Sequence, residues 1–386
     1  MLRHLVFMCN KRCKNMMMKM VATCLLGIEG LVADDLKSMD AQNVCAENGR
    51  VFFDGDETIL ARANIWSRYA ERILIVVDKF TAVTFEELFQ AVKALPWSEF
   101  IGSADEFPVK GFSINSTLHS VPDCQKIIKK AIVESLKEDY HINWFEESGP
   151  IHQIQFSIMK DEATIMLDTS GRGLHKRGYR PVGNDAPIRE TLAAAMCRLS
   201  QLRHYHTMYD PCCGSGTILI EGAMLANNIA PGINRNFDVD RWGFVPEKVW
   251  MSERERCHDL IKIDTDFVAF GSDIDPHAIE LTEKNAKNIK VDKFIRASVC
   301  DVAKFNPTTE KGTLITNPPY GERMLDIRTA EKLYRVMGEK FERKHGWSYG
   351  IISPDEEFEK CFGRKADKRR KLYNGMIKCQ YYMYFK

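Results

Sequence analysis

The sequence predicts an open, mostly parallel α/β sheet preceded by an α+β region. Three observations predict it. From about residue 187, short apolar strands alternate with helices almost to the end of the chain, as in strands joined by helical crossovers. Several of those strands stop at an acid or an asparagine next to glycine or proline, which marks a rim of turns at one end of the sheet. The chain closes on two adjacent runs, Lys371–Met376 and Gln380–Phe385, that read as a hairpin added antiparallel at the sheet edge.

The elements follow in order. The strand at Met20–Cys24 leads into a helix at Gly30–Leu36, then a strand at Arg50–Asp54, a helix at Glu57–Ala63 and a strand at Arg72–Val77. Next come the helix Thr84–Leu95, the strand Val109–Asn115, the helix Cys124–Glu138, and strands at Ile151–Met159 and Ala163–Asp168. On the helix Cys124–Glu138, Ile127, Ile128, Ala131, Ile132 and Leu136 share one face, and its lysines read as a solvated face. A glycine-rich, cationic stretch, Thr169–Arg180, marks the boundary between the regions and reads either as a linker or as a binding loop. Beyond it a helix opens after Ala186-Pro187, with proline suited to a first turn, and runs to about Leu199. The strands Thr207–Asp210, Phe267–Asp273, Phe294–Val299, Thr313–Asn317 and Ser348–Ser353 follow, with helices between them and an insertion at Asn227–Asp266.

Composition bounds the function. A chain of 386 residues with 45% hydrophobic and 28% charged residues is expected to hold two or three globular domains. A net charge of +1 excludes an overall basic protein, so nucleic-acid contact must come from local patches. No apolar run reaches the roughly 18–20 residues of a membrane span. The 12 cysteines are scattered without C-x2-C pairs, so no metal site is expected and a reducing, cytoplasmic setting is. Residues 1–19, ending in a methionine run, read as a disordered leader, with the folded part starting near Met20.

Asp210-Pro-Cys-Cys-Gly-Ser-Gly-Thr217 is a strand-to-helix turn in which Gly214 and Gly216 let a ligand approach the backbone. No lysine follows the glycines, which argues against a nucleoside triphosphate. Asp210 suits an ammonium group, and Cys212 and Thr217 stand as further lining residues. The next strand ends in Asp273-Ile274-Asp275-Pro276. Asp273, with Ile274 beside it, stands where a ribose diol is held, and Asp275 suits the cap of the following helix. Asp301, after the third strand, can accept from an adenine amino group, or be simply an exposed acid. An amino-acid end, a ribose and an adenine together describe S-adenosylmethionine.

Asn317-Pro318-Pro319-Tyr320 ends the fourth strand. Two prolines make a stiff turn without N–H donors, so the Asn317 oxygen and the turn carbonyls can converge on one amino group. Tyr320 offers a ring face to the base that carries it. A cationic run, Arg364, Lys365, Lys368, Arg369, Arg370 and Lys371, joins Lys176, Arg177 and Arg180 as a candidate surface for an RNA backbone.

With these motifs the chain resembles class I S-adenosylmethionine methyltransferases, whose sheet is Rossmann-like. More narrowly, from Met20 onward it resembles bacterial THUMP-domain RNA methylases, a group also named N6-adenine DNA methylases. These are related to the guanine-N2 methylating half of the two-activity 23S rRNA methyltransferase. The stretches that carry the resemblance are Leu174–Arg180, Ala186–Ala193, Asp210–Thr217, Asn317–Arg323 and Phe362–Gly375. The resemblance implies a ferredoxin-like module at 20–80, a THUMP RNA-binding domain at 81–168 and a methyltransferase domain at 169–386. It also implies that Asp210, Gly214 and Gly216 hold the methionine end, Asp273 the ribose, Asp301 the adenine, and Asn317 with Tyr320 the target base.

The expected function is transfer of a methyl group to a purine exocyclic amine, guanine N2 of 23S rRNA first. Alternatives are a tRNA guanine-N2 or adenine-N6 methyltransferase, a DNA-adenine or protein-glutamine methylase, and a non-catalytic RNA-binding assembly factor. Intact glycines, acids and Asn-Pro-Pro-Tyr speak against the last. An RNA-binding-like N-terminal half speaks against DNA and protein targets.

Overall fold

A computed structural model describes residues 17–180, 188–243, 245–320 and 326–385. The expected helix opening at Ala186-Pro187, residues 321–323 of the motif stretch and residues 1–16 of the expected leader lie outside the described residues. Met18 does not behave as leader: it is buried and pairs with Gly55, so order begins before Met20.

The N-terminal sheet contains β1 (Met18–Cys24), β2 (Gln42–Glu47), β3 (Arg50–Gly55), β4 (Ala70–Thr81), β5 (Val109–Ile114), β6 (Ile154–Met159) and β7 (Glu162–Asp168), in the order β2-β3-β1-β4-β7-β6-β5. β4 is 12 residues long and pairs with β1 along its first half and with β7 along most of its length, so a single sheet continues through the whole region. Helices α1 (Glu29–Ser38), α2 (Glu57–Trp66), α3 (Phe85–Lys93) and α4 (Val121–Tyr140) bury their apolar stripes with this sheet in one large core. α4 begins earlier than its apolar spacing suggests because Pro122 occupies its first turn, and left-handed His141 ends it. β2 was not expected. It is a largely exposed, polar edge strand with Asn43 at φ 49°, and it shows no apolar alternation.

The C-terminal sheet contains β8 (Thr207–Asp210), β9 (Val268–Asp273), β10 (Ile295–Val299), β11 (Gly312–Thr316), β12 (Trp347–Ser353), β13 (Lys368–Asn374) and β14 (Ile377–Tyr384), in the order β10-β9-β8-β11-β12-β14-β13. Five strands are parallel, and β14 and β13 close the edge antiparallel. Its helices are α5 (Glu190–Leu199), α6 (Thr217–Ala226), α7 (Glu247–Asp259), α8 (Pro276–Asn288), α9 (Ile327–Lys340) and α10 (Phe358–Phe362). The chain runs outward from β8 to β10 and then returns to the other side of β8 with β11. The carboxyl ends of β8 and β11 therefore flank a topological switch point, where such sheets open a crevice.

The insertion carries α7 and seats the N-terminal half. Arg62 on α2 makes paired hydrogen bonds to Glu253 at 2.8 and 3.1 Å. Trp242 donates its indole N–H to the Ile151 carbonyl at 2.9 Å, and the buried His152 ring stacks on Trp242 with centroids 4.4 Å apart.

Candidate active site

A cavity of about 500 Å³ opens at the switch point. Asp210, Cys212, Gly214 and Thr217 line it from the first turn, Asp273 and Ile274 from the end of β9, and Asp301 from beyond β10. Asn317, Pro318, Pro319 and Tyr320 line it from beyond β11. Residues far apart in sequence thus meet because each follows the carboxyl end of a strand. Gly216 shapes the turn from behind: it takes φ 79° at the start of α6, and a Cβ there would meet Thr282 at 2.7 Å.

Asp210 is buried, and its carboxylate is held asymmetrically. Oδ1 accepts the Thr316 hydroxyl at 2.7 Å and the Cys212 N–H at 3.2 Å. Oδ2 is buried with no hydrogen-bond partner among the described residues. Burial pushes this carboxyl up to about 7, against the pull of those two donors. Asp273 accepts the Gly214 N–H at 2.9 Å and the Asp275 N–H at 3.1 Å, and Asp301 accepts the Ala303 N–H at 2.8 Å. Asp275 caps α8 through the His277 N–H at 2.9 Å, as its place before a proline suggests. One unpaired carboxylate oxygen, a glycine turn without lysine and two anchored carboxylates suit a ligand with an ammonium, a diol and an amino heterocycle. They do not suit a phosphate chain.

Asn317 completes the rim. Its Oδ1 is buried with no partner among the described residues, so an acceptor waits for a donor. Tyr320 is 5% exposed, and its hydroxyl accepts from Asn374 Nδ2 at 2.6 Å.

The candidate RNA cations divide. Lys176, Lys365, Lys368, Arg369, Arg370 and Lys371 are exposed. Two others do not fit the expectation of a backbone-contacting surface. Arg177 is buried, pairs with Glu221 and donates to the carbonyls of Leu174 and Arg68. Arg180 pairs with Glu190 at 2.9 Å and donates to Thr217 Oγ1 at 2.8 Å, which steadies the glycine turn. Their cationic sequence context hid a buried partner acid on α6 and another on α5. Arg364 is half-buried, its guanidinium 4.8–5.2 Å from the rings of Tyr349, Phe362 and Tyr384. Lys368–Lys371 lie on the edge strand β13.

A family model described as "RMKL-like, methyltransferase domain" matches residues 177–383. This chain belongs to the RMKL-like methyltransferase family. Models of the RlmL ferredoxin-like domain and of the THUMP domain match residues 19–74 and 82–168 of this family member. It is 42% identical over 369 residues to YpsC of Bacillus subtilis, whose name marks it as a candidate RNA methyltransferase, with 95% of each chain covered. It is 32% identical to the ribosomal RNA large subunit methyltransferase K/L of Shewanella frigidimarina, over 93% of this chain and 51% of that one. The chain therefore spans about half the length of the K/L enzyme. The solved structure of SMU.472, a methyltransferase candidate complexed with S-adenosylhomocysteine, superposes with a TM-score of 0.89 at 41% identity, covering 96% of this chain and 98% of that one. The RMKL-like domain has the class I methyltransferase fold and its cofactor is S-adenosylmethionine.

Sequence reasoning missed the residues that brace this RMKL-like site from behind. Thr282 on α8 donates to the Gly214 carbonyl at 2.8 Å, and Asn285 to the Ser215 carbonyl at 3.0 Å. Both are buried polar residues on an otherwise apolar helix face, and that break in the pattern was the available signal. Thr316 carried no comparable signal, because a threonine closing a strand is unremarkable until Asp210 is beside it.

Proposed function

We propose that this chain methylates the exocyclic amine of a purine in RNA, with guanine N2 of 23S ribosomal RNA as the target. The observation that carries the reading is the covered, unpartnered Asn317 oxygen on the rim of the cofactor cavity. A buried acceptor left empty costs about 1–3 kcal/mol, and an incoming amino group removes that cost.

A purine amine is a poor nucleophile because its lone pair is delocalised into the ring. In this reading Asn317 Oδ1 and the Pro318 carbonyl accept its two N–H bonds, which favours a pyramidal nitrogen with its lone pair turned into the cavity. S-adenosylmethionine supplies the activated methyl group. The stiff proline turn holds both acceptors still, and Tyr320 gives the base a surface to stack on, worth roughly 1–3 kcal/mol. A paired base must leave its helix to reach this rim. Asp210, Gly214 and Gly216 hold the methionine end, Asp273 the ribose and Asp301 the adenine.

RNA as substrate is supported by the THUMP domain match and by the names of the relatives. Guanine N2 is supported by the resemblance to the guanine-N2 methylating half of the fused enzyme. The exposed cations of β13 serve as a backbone contact, and the enzyme works in the cytoplasm, where ribosomal RNA is made. Mass spectrometry of nucleosides from 23S rRNA, 16S rRNA and tRNA, in a deletion strain against its parent, tests this. Loss of N2-methylguanosine from 23S rRNA is expected. Loss of N6-methyladenosine, or loss from tRNA alone, replaces the target, and unchanged nucleosides overturn the reading.

A further inference from the structure

The stretch Phe362–Gly375 contains more than cations. An Asn-Gly pair between two strands commonly supplies both central residues of a tight turn, with the asparagine exposed at the tip. Here the register is different. Asn374 pairs with Ile377, so the two-residue loop is Gly375-Met376, with Gly375 at φ 66° and Met376 95% exposed. Asn374 is the last residue of β13, only 3% exposed, and its side chain points inward. Its Nδ2 donates to Tyr320 Oη at 2.6 Å.

This hydrogen bond joins two parts of the molecule that lie 54 residues apart in sequence. Tyr320 follows a proline pair, so the backbone leading into it is stiff, but the ring still has two free torsions. A hydrogen bond at the far end of the ring fixes the hydroxyl and, with it, the direction in which the long axis of the ring points, because the hydroxyl oxygen lies on that axis and moves with the first side-chain torsion. The donor comes from the antiparallel edge hairpin, whose pairing with β12 through β14 anchors it to the sheet.

We infer that Asn374 is a positioning residue that holds the Tyr320 ring in place against the rim for the target base. The inference rests on the proposed function. The residues proposed to hold the cofactor stand at the ends of β8, β9 and β10, away from the β13–β14 hairpin, so the effect falls on methyl transfer and not on cofactor binding.

The test is a double-mutant cycle in the full chain with Asn374→Ala, Tyr320→Phe and the double variant. Tritiated methyl incorporation from S-adenosylmethionine is read on total rRNA purified from the deletion strain, and cofactor Kd and melting temperature are measured for each. Each single substitution is expected to lower kcat about tenfold, with cofactor Kd unchanged, and the double variant is expected to fall no further. A merely structural asparagine predicts multiplying losses or a fall that tracks the melting temperature, and either outcome overturns the inference. Tyr320→Phe leaves the buried Asn374 in place and serves as the second probe if Asn374→Ala folds poorly. Asn317→Ala run in parallel separates the two claims. If it abolishes transfer while Asn374→Ala leaves the rate intact, only the present inference falls. If neither variant loses activity, both fall.

Discussion

Thr316 donates its hydroxyl proton to Asp210 Oδ1 at 2.7 Å, so the last residue of β11 holds the last residue of β8. The strand that delivers Asn-Pro-Pro-Tyr thereby fixes the acid that opens the glycine turn. Because the same oxygen also takes the Cys212 N–H, the other carboxylate oxygen is left buried and without a partner among the described residues. The Asn-Pro-Pro-Tyr end and the glycine-turn end of the site are one hydrogen-bonded unit across the switch point.

The pH dependence of cofactor binding follows. With its carboxyl raised to about 7, Asp210 is partly protonated near neutrality and must lose that proton to meet an ammonium group. Affinity is therefore full above pH 7 and falls by up to about tenfold per unit below it. Calorimetry in buffers of different ionisation enthalpy should show proton release on binding near pH 7. Asp210→Asn should weaken binding about 100-fold, flatten the pH profile and leave the melting temperature no lower, since a neutral amide removes a buried charge. A flat profile in the parent protein rules out this role.

Asn317 tests the chemistry. Asn317→Ala removes one acceptor from a preorganised pair and should lower methyl transfer by about 10²–10³-fold while cofactor Kd stays within about twofold. Asn317→Asp keeps an oxygen acceptor at the same place and should retain more activity than alanine. Equal rates for the two variants would mean that the oxygen is not what matters.

How much of this was legible depends on what kind of signal each residue leaves. The alternating half of the chain and its strand-end residues were readable because parallel strands, helices and glycine turns leave periodicity and punctuation. Asp210, Asp273, Asp301 and Asn317 were singled out by their places at strand ends, and the fold brings them to one cavity. Arg177 and Arg180 were misjudged because sequence shows charge but not partners. Glu221 and Glu190 lie on helices whose neighbours only the tertiary fold supplies. β2 stayed hidden because an exposed edge strand needs no apolar face. Asn374 fell inside the run Lys371–Met376 read as a hairpin strand, and its pairing with Ile377 shows that this strand ends at Asn374 and turns through Gly375-Met376.

The two kinds of cation should separate in solution. Replacing exposed Lys365, Lys368 and Lys371 with glutamate should weaken RNA binding and make the dependence of log Kd on log salt shallower, by roughly 0.7–0.9 for each phosphate no longer neutralised. The fold should not suffer. Arg177→Ala leaves Glu221 buried without its ion-pair partner, held among the described residues only by the Tyr179 hydroxyl at 3.2 Å, and should cost about 3–5 kcal/mol of stability without changing the salt slope. Filter binding across a salt series, beside thermal melts, reads both. A steeper or unchanged slope in the lysine variant would remove β13 from the RNA surface.

Acid should loosen the seat between the two halves. His152 is buried against Trp242 with its Nε2 2.9 Å from the Asp105 carboxylate. Burial lowers its pKa below the ordinary imidazole value, and the Asp105 charge only partly opposes this. A histidine whose folded value is depressed takes up its proton more readily when unfolded, so unfolding binds protons in the window just below about 6.5. The stability it confers is full above that window and is lost as pH falls through it, by up to about 1.4 kcal/mol per unit. The melting temperature should therefore decline from about pH 6.5 downward. His152→Phe keeps a ring to stack on Trp242 but has no proton to gain, so it should flatten that decline. If the variant and the parent lose stability in parallel, other groups carry the acid sensitivity and His152 is only packing.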